Sequence, residues 1–272
     1  MISETIIDLL RIVKNGNYFS LKQYRNTDST NKILRILGNG KSLHDHNLNP
    51  ENNVSYMVVN RHVIDDTYSI IKPEHYVLAD PHFFHTKEGN EILEKIDQYT
   101  NWKMNLYLPN AINKKKFSKL FGNSNVQIVY YNSSIIRGFG LIKNFLYKKA
   151  LAMPLVQNVL VAAIMNGILC GYTSIELYGV EHSWTKYLSV GEDNIVYIED
   201  AHCYDKEQVK PRPFVSFDKS IRWTFGFVLE CYSKMFKSYE DIRRFIDNER
   251  INVKVINKTK GSFIDAFERD TE

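Results

Sequence analysis

The chain has 272 residues and a formal net charge of +4, and 44% of its residues are hydrophobic and 24% charged. A chain of this length can bury a sizeable core, and its ordinary globular composition excludes extended disorder. Basic and acidic residues alternate over most of the chain, so no nucleic-acid partner is indicated. The three cysteines have no paired spacing, which is typical of a reducing compartment, so we expect a cytoplasmic protein.

Residues 1–30 are predicted to form an N-terminal amphipathic helix and a lead-in. Apolar residues between Ser3 and Lys14 recur at helical spacing, and Gly16 follows as a helix terminator. We expect the apolar face to pack on the rest of the chain, while a peripheral contact with the inner face of the membrane or a homo-oligomer contact is the alternative. A secreted or membrane-spanning chain is not expected, because no run of roughly 18 apolar residues and no leader-like segment occurs.

Residues 31–272 alternate short apolar runs with helical segments and are predicted to form a single Rossmann-like domain. Strands are predicted at 33–37, 56–59, 75–79, 105–108, 126–130, 174–178 and 253–256, and helices at 88–99, 156–170, 218–235 and 239–248. Strands that are apolar throughout indicate an α/β fold, in which a mostly parallel sheet has helices on both faces. Ligands bind such a sheet at the carboxyl ends of its strands. The polar segment at about 181–215 is predicted to be a loop or lid, with a short β-like piece at 194–198.

A glycine-containing turn, GNGKSL at 38–43, follows the first predicted strand. Its glycines allow a tight turn whose backbone N–H groups can point at a phosphate or a sugar. A dinucleotide-binding fingerprint would need glycine in place of Leu43 and an acidic residue in place of Asn60, and a P-loop would need glycine in place of Arg35. The turn therefore predicts neither an NAD site nor an ATPase site, and a purely structural turn is the remaining alternative.

The sequence contains no Asp-x-Asp pair, the arrangement with which metal-dependent sugar transferases commonly hold a divalent ion. This favours a donor whose leaving group carries few charges, such as the nucleoside monophosphate of a CMP-activated sugar. The spacing of His182, His202 and Cys203 matches no common zinc signature. We therefore expect no metal and no cofactor, with a CMP-sugar as co-substrate.

Three segments form an ordered series of motifs along the chain: the turn at 38–43, the stretch 156–184 that ends in YGVEHSW, and NKTKGSF at 257–263. Together they resemble metal-independent bacterial sialyltransferases that use CMP-sialic acid, and the wider MptE-like group of surface-polysaccharide clusters. The resemblance covers most of residues 33–268. It implies a GT-A-like sialyltransferase variant of the fold. It also implies inverting transfer of an acidic sugar from a CMP-sugar to a glycan acceptor in bacterial surface-polysaccharide synthesis.

The resemblance also implies a set of donor-binding residues. They are Gly38, Asn39, Gly40, Ser42, Asn60, Asp80, Gln157, Asn158, Gly179, Glu181, His182 and Tyr187. Lys41 stands where the family has proline, and Asp80 stands where it has asparagine, so Asp80 is either a nucleoside contact or a cap of the turn at Pro81. Gln157 and Asn158 open a buried helix, whose free N–H groups suit a phosphate; a helix cap is the alternative. Tyr187 resembles loop tyrosines that hydrogen-bond the departing phosphate.

His202 is the predicted catalytic residue, because it lies in the polar segment where these transferases carry a histidine base. Imidazole titrates near neutral pH and is therefore suited to accept the proton of an acceptor hydroxyl. Asp200 or Asp205 would orient its ring. His182 is the alternative base, or else a buried histidine with a structural partner.

Two rival functions are compatible with the same motifs. One is a pterin pyrophosphokinase, an activity known in part of the MptE-like group, which would need Mg²⁺ held by separated carboxylates such as Asp80 and Glu181. The other is a non-catalytic nucleotide-binding scaffold. An acidic donor sugar would also need a cationic partner, and the candidates are Lys41, Arg61 and Arg212.

Overall fold

The computed structural model of the chain describes residues 2–14, 32–112, 114–117, 121–205, 207–216 and 220–270. Its strands are β1 (Ile33–Leu37), β2 (Val54–Val59), β3 (His75–Val77), β4 (Met104–Pro109), β5 (Val126–Tyr131), β6 (Ser174–Tyr178), β7 (Leu188–Val190), β8 (Val196–Ile198), β9 (Arg212–Pro213), β10 (Lys254–Asn257) and β11 (Glu268–Arg269). Its α-helices are α1 (Ile2–Lys14), α2 (Thr67–Ile71), α3 (His82–His85), α4 (Lys87–Tyr99), α5 (Lys114–Phe117), α6 (Gly140–Lys148), α7 (Val159–Leu169) and α8 (Phe225–Asn248). Short 3-10 turns lie at Lys41–Asp45, His62–Ile64 and Trp184–Tyr187.

Eight strands form one sheet in the order β11-β10-β6-β1-β2-β3-β4-β5, and each pairing within it is parallel. Strands β1 to β5 lie side by side in chain order, and β6 then pairs with the opposite edge of β1. The register of β1 and β6 runs from Ile33 opposite Ser174 to Leu37 opposite Tyr178. A parallel sheet whose strand order reverses in this way has a crevice at the carboxyl ends of the strands involved. The ends of β1 and β6 therefore position the site.

Side chains of the central strands alternate between two hydrophobic cores, one on each face of the sheet. Leu34 and Ile36 of β1 pack in the core that contains α7, whereas Leu37 packs in the core that contains α2, α3 and α4. Burial on both faces explains why the strands are apolar throughout. The predicted α/β fold, with a mostly parallel sheet and helices on both faces, is confirmed.

Several element predictions are corrected by the structure. The two helices predicted at 218–235 and 239–248 are one helix, α8, whose 24 described residues begin at Phe225. Ser238 lies inside this helix, and its hydroxyl donates to the carbonyl of Lys234 one turn earlier. The strand predicted at 253–256 does not close the sheet, since β11 pairs outside β10. Part of the predicted segment 181–215 forms a small antiparallel sheet, β7-β8-β9.

Helix α1 is attached to the rest of the chain by a buried carboxylate. Asp8 is 2% exposed and accepts from the backbone N–H of Arg137 at 3.0 Å, from its Nε at 2.9 Å and from its Nη2 at 3.0 Å. These hydrogen bonds lower the pKa of Asp8 below its usual value of 3.8. Ile12 reaches the core.

The expected packing of the apolar face of α1 is only partly seen. Its outer apolar residues are Ile6, Ile7, Leu10 and Val13, with exposures between 46% and 63%. The lead-in at 15–30 lies outside the described residues. Among the helices of the described ranges, none has both the length and the apolar character needed to cross a bilayer.

Replacement of Asp8 by asparagine should weaken the attachment of α1 by about 2 kcal/mol, because a charged acceptor is lost from three hydrogen bonds. Limited proteolysis should then remove the N-terminal segment faster. Because the pKa of Asp8 is lowered in the folded protein, the attachment is complete above about pH 5 and is lost as the pH falls below 3.8. Glu4→Gln is the control, since Glu4 pairs with Arg137 at 3.7 Å near the surface. Equal cleavage of Asp8→Asn and the unmodified protein would contradict this role.

Candidate active site

A cleft opens at the carboxyl ends of β1, β2 and β6, where the strand order reverses. Its inner part has a volume of about 320 Å³ and continues into an outer part of about 1040 Å³. The two parts share Asn39, Asn60, Asn158, Trp184, Asp200, His202 and Val209. One continuous cleft therefore runs from the glycine turn to the loop that contains His202.

The structure brings most of the predicted site residues to this cleft. The inner part is lined by Gly38, Asn39, Gly40, Asn60, Asn158, Gly179, Glu181, His182, Tyr187 and His202. Asp80 and Gln157 line only the outer part. Ser42 lines neither part, and its Oγ is buried without a partner among the described residues. The contact between Ser42 and the donor stays a prediction.

The glycine turn after β1 packs directly against the turn after β6. Gly38 N–H donates to the carbonyl of Tyr178 at 2.8 Å, and Gly40 N–H donates to the carbonyl of Gly179 at 2.9 Å. A Cβ at position 38 would stand 2.3 Å from the Gly179 carbonyl oxygen, and Gly179 itself has a φ of +60°. Glycine permits this close approach without a steric clash and adopts this left-handed backbone without strain. The paired turns form the floor of the cleft.

Glu181 occupies the position at the glycine turn where the sequence predicted a phosphate. Its Oε1 accepts from the Ser42 N–H at 2.7 Å, and its Oε2 lies 1.4 Å from where a Cβ on Gly40 would stand. The N–H groups of Gly38, Gly40, Ser42 and Leu43 all have acceptors within the protein. The carboxylate of Glu181 therefore takes one of these N–H groups, backbone carbonyls take the other three, and Glu181 positions the turn.

Asn39 connects the glycine turn to two neighbouring segments. Its Nδ2 donates to the carbonyl of Val59 at 3.1 Å, and its Oδ1 lies 3.3 Å from Nδ1 of His62. His62 is fully buried, which lowers its pKa to about 4, so its ring is neutral at pH 7. The carbonyl of Asn39 accepts from the Cys203 N–H at 2.8 Å. This last bond ties the loop of His202 to the turn.

His202 lies between two carboxylates at the edge of the cleft. Its Nε2 is 3.7 Å from Oδ2 of Asp200, and its Nδ1 is 3.5 Å from Oδ2 of Asp205. Its backbone N–H donates to Asp205 at 2.7 Å, and its ring stacks on Tyr204 at a centroid distance of 5.0 Å. The side chain is 30% exposed. A carboxylate oxygen therefore lies within 4 Å of each ring nitrogen of His202.

His182 has a contrasting environment. It is buried, its φ is 48°, and its ring stacks on Trp184 at 4.4 Å. Its Nδ1 lies 3.2 Å from the hydroxyl of Tyr239. Burial lowers the pKa of His182 to about 3. A ring that resists protonation to this degree is a poor base at neutral pH.

The stacked side chains of Trp184 and Tyr232 lie beside Asp200, one of the two carboxylates next to His202. Trp184 Nε1 donates to Oδ1 of Asp200 at 3.0 Å, and Arg212 approaches Oδ2 at 3.5 Å. Trp184 also stacks on Tyr232 of α8 at 5.6 Å. Tyr232 was not predicted, because its helix lies far along the chain from the motifs of the cleft.

Two predicted donor contacts also accept from backbone N–H groups. Oδ1 of Asp80 accepts from the His82 N–H at 2.8 Å and closes the turn at Pro81, which precedes α3. Oδ1 of Asn158 accepts from the Leu160 N–H at 2.9 Å and caps the start of α7. Both residues also line the outer part of the cleft. These structural roles are therefore compatible with ligand contact.

Two polar atoms at the end of β2 are buried and have no partner among the described residues. They are Oδ1 of Asn60, whose φ is 53°, and Nε of Arg61. A buried polar atom without a hydrogen bond costs about 1–3 kcal/mol. Both residues line the cleft, so a polar ligand there would supply the missing partners.

No protein-family model matches the chain, and no curated protein matches its sequence. Among solved structures, the chain is similar to the MAf glycosyltransferase from Magnetospirillum magneticum AMB-1, with a TM-score of 0.49 and 13% identity over 95% of this chain. It spans 40% of the length of that protein. It is also similar to two sialyltransferases from Campylobacter jejuni. For CstII in complex with the substrate analogue CMP-3FNeuAc, the TM-score is 0.46 and the identity 14%, over 89% of this chain and 86% of that one. For the monofunctional alpha-2,3-sialyltransferase Cst-I, the TM-score is 0.47 and the identity 14%, over 89% of this chain and 81% of that one.

The contact between Gly40 and Glu181 can be tested with a double-mutant cycle. The backbone of Gly40, with φ −71° and ψ 156°, accepts alanine, so Gly40→Ala should destabilise the fold only through its clash with Glu181, by about 2 kcal/mol. In the Glu181→Ala background the same change should cost almost nothing. Urea unfolding should thus give a coupling free energy of at least about 1 kcal/mol. Gly122→Ala is the control, because nothing lies within 4 Å of its Cβ position. Additive effects would contradict the contact.

Proposed function

We propose that the chain is a glycosyltransferase that transfers an acidic sugar from a CMP-sugar to a glycan acceptor, with inversion and without a metal ion. One observation carries this proposal. His202 lies between two carboxylates in the same cleft as the glycine turn, at the carboxyl edge where the strand order of the sheet reverses.

The reaction is a direct displacement at the anomeric carbon. His202 accepts the proton of the acceptor hydroxyl as the new carbon–oxygen bond forms, and the bond from the sugar to the CMP phosphate breaks on the opposite side. Asp200 and Asp205 stabilise the imidazolium that results. The tie between Cys203 and Asn39 keeps the base at a fixed distance from the floor of the cleft.

Departure of CMP needs groups that stabilise its phosphate. Tyr187 lines the inner cleft and is 50% exposed, so its hydroxyl is available to donate to the phosphate. The start of α7, an 11-residue helix, adds the positive end of a helix dipole beside Asn158. The glycine turn supports this arrangement as a rigid floor, since the N–H groups of Gly38, Gly40, Ser42 and Leu43 already have acceptors within the protein.

An acidic sugar also needs a cation, and two of the three candidates line the cleft without an ion pair among the described residues, Lys41 in the inner part and Arg61 in the outer part. Nε of Arg61 is buried and without a partner among the described residues, and Arg61 lies beside Asn60 in the outer cleft. Arg212 is instead paired with Asp200 at 3.5 Å. A guanidinium with an open donor is suited to bind a carboxylate in a fixed geometry.

Metal independence is supported by the way the cleft uses its carboxylates. Glu181 accepts from Ser42 N–H, Asp200 from Trp184, Asp205 from His202 N–H and Asp80 from His82 N–H. Carboxylates that are bound and oriented in this way are poorly arranged to converge on one hard cation.

We also propose that the protein works in the cytoplasm, at the inner face of the membrane, in surface-polysaccharide synthesis. The exposed apolar residues of α1 support such a contact, and a homo-oligomer interface on the same face is the alternative.

Substitution of His202 by alanine should lower the rate of CMP release from a CMP-sugar in EDTA by about 10²–10⁴-fold, because proton transfer to a positioned base is lost. Binding of CMP should stay unchanged, since no nucleotide contact is assigned to the ring. His85→Ala is the matched control, because His85 is exposed on α3 outside the cleft.

Full transfer activity in His202→Ala would contradict the assignment of the base. Transfer of pyrophosphate from ATP to a pterin in the presence of Mg²⁺ would replace the glycosyltransferase proposal by the pyrophosphokinase. Nucleotide binding without turnover of CMP-sialic acid or related CMP-sugars would favour the scaffold.

A further inference from the structure

Three potential metal ligands converge beside the loop of His202, outside the cleft. They are Nε2 of His44, a carboxylate oxygen of Asp65 and Sγ of Cys203, and all three atoms lie within 4.8 Å of one another. His44 belongs to the 3-10 turn after β1, Asp65 follows β2, and Cys203 is next to His202. None of the three lines either part of the cleft. We propose that His44, Asp65 and Cys203 bind one Zn²⁺ ion that clamps these three segments together.

The donor set fits this ion. Imidazole, carboxylate and thiolate are the usual ligands of Zn²⁺, and the thiolate disfavours Mg²⁺ and Ca²⁺. Bond lengths of about 2.0–2.3 Å place the ligand atoms of a tetrahedral site roughly 3.3–3.8 Å apart. His44 Nε2 and Asp65 Oδ2 are already 2.9 Å apart. The His44 side chain is 50% exposed, so it can rotate to admit the ion and leaves a fourth position open to water.

The carboxylate of Asp65 is already oriented by groups behind it. Its Oδ1 accepts from the backbone N–H of Thr67 at 2.9 Å and from the Thr67 hydroxyl at 2.6 Å, and the side chain is 1% exposed. Oδ2 is thereby directed at His44 and presented to the ion. Hydrogen bonds of this kind commonly orient the ligands of protein metal sites. Binding would displace the proton of the Cys203 thiol, which becomes the thiolate ligand.

The proposed ion would lie between the loop of His202 and the turn after β1. The Cys203 N–H donates to the carbonyl of Asn39, so a bond from Sγ to the ion would add a second attachment of the His202 loop to the turn after β1. Water bound to the ion would face solvent at His44 and not the cleft. The ion therefore joins the loop of His202 to the turn after β1, and the proposed transfer chemistry does not pass through it.

Cobalt(II) is the probe for this site, because a thiolate ligand gives it a charge-transfer band in the near ultraviolet and a tetrahedral site gives it strong visible bands. Protein without a histidine tag, dialysed against EDTA and then freed of it, should bind one equivalent of Co²⁺ per chain with both signals. Zn²⁺ should displace Co²⁺. Zn²⁺ at about 100 times its Kd should raise the Tm by roughly 5 °C or more.

Matched variants assign the ligands. Cys203→Ser should abolish the charge-transfer band, and His44→Ala should weaken Co²⁺ binding at least tenfold. Because the His44 side chain is half exposed, its variant should fold even where Cys203→Ser does not. Cys231→Ser and His85→Ala should bind as the unmodified protein does. Absence of both bands in the unmodified protein, or their persistence in His44→Ala, would overturn the proposal.

Discussion

The close contact between the turns after β1 and β6 is the constraint on which the site depends. Without side chains at Gly38 and Gly179, the ends of two adjacent parallel strands approach within hydrogen-bonding distance. The carboxylate of Glu181 then bonds to the Ser42 N–H and lies against Gly40. This unit is the floor of the cleft, and the segment that contains His202 is attached to it. A change in the floor therefore alters the position of the proposed base.

Burial separates the roles of the histidines around this floor. His62 supports Asn39 from the interior, and His182 packs between Trp184 and Tyr239, so desolvation keeps both rings neutral at pH 7. His202 is partly exposed and has a carboxylate near each ring nitrogen. The same side chain thus serves packing at two positions, and at the third it is the proposed base.

The fold class could be predicted because the central strands are buried on both faces and are apolar throughout, as in 33–37 and 174–178. The convergence of the glycine turn with His202 could be predicted only through family motifs, since the two are far apart in sequence. The occupation of the turn by Glu181 was missed, because local sequence does not reveal which acceptor a free N–H group meets. Strand β11 was missed because two polar residues carry no hydrophobic pattern.

The proposed function requires that the cleft bind a cytidine nucleotide without a metal ion. Calorimetric titration of the protein in EDTA with CMP, UMP, GMP and AMP reads nucleotide preference and metal dependence in one experiment. We expect one CMP site per chain, with binding unchanged when Mg²⁺ replaces EDTA. Failure to bind CMP, or tight binding of ATP only in the presence of Mg²⁺, would contradict the proposed function.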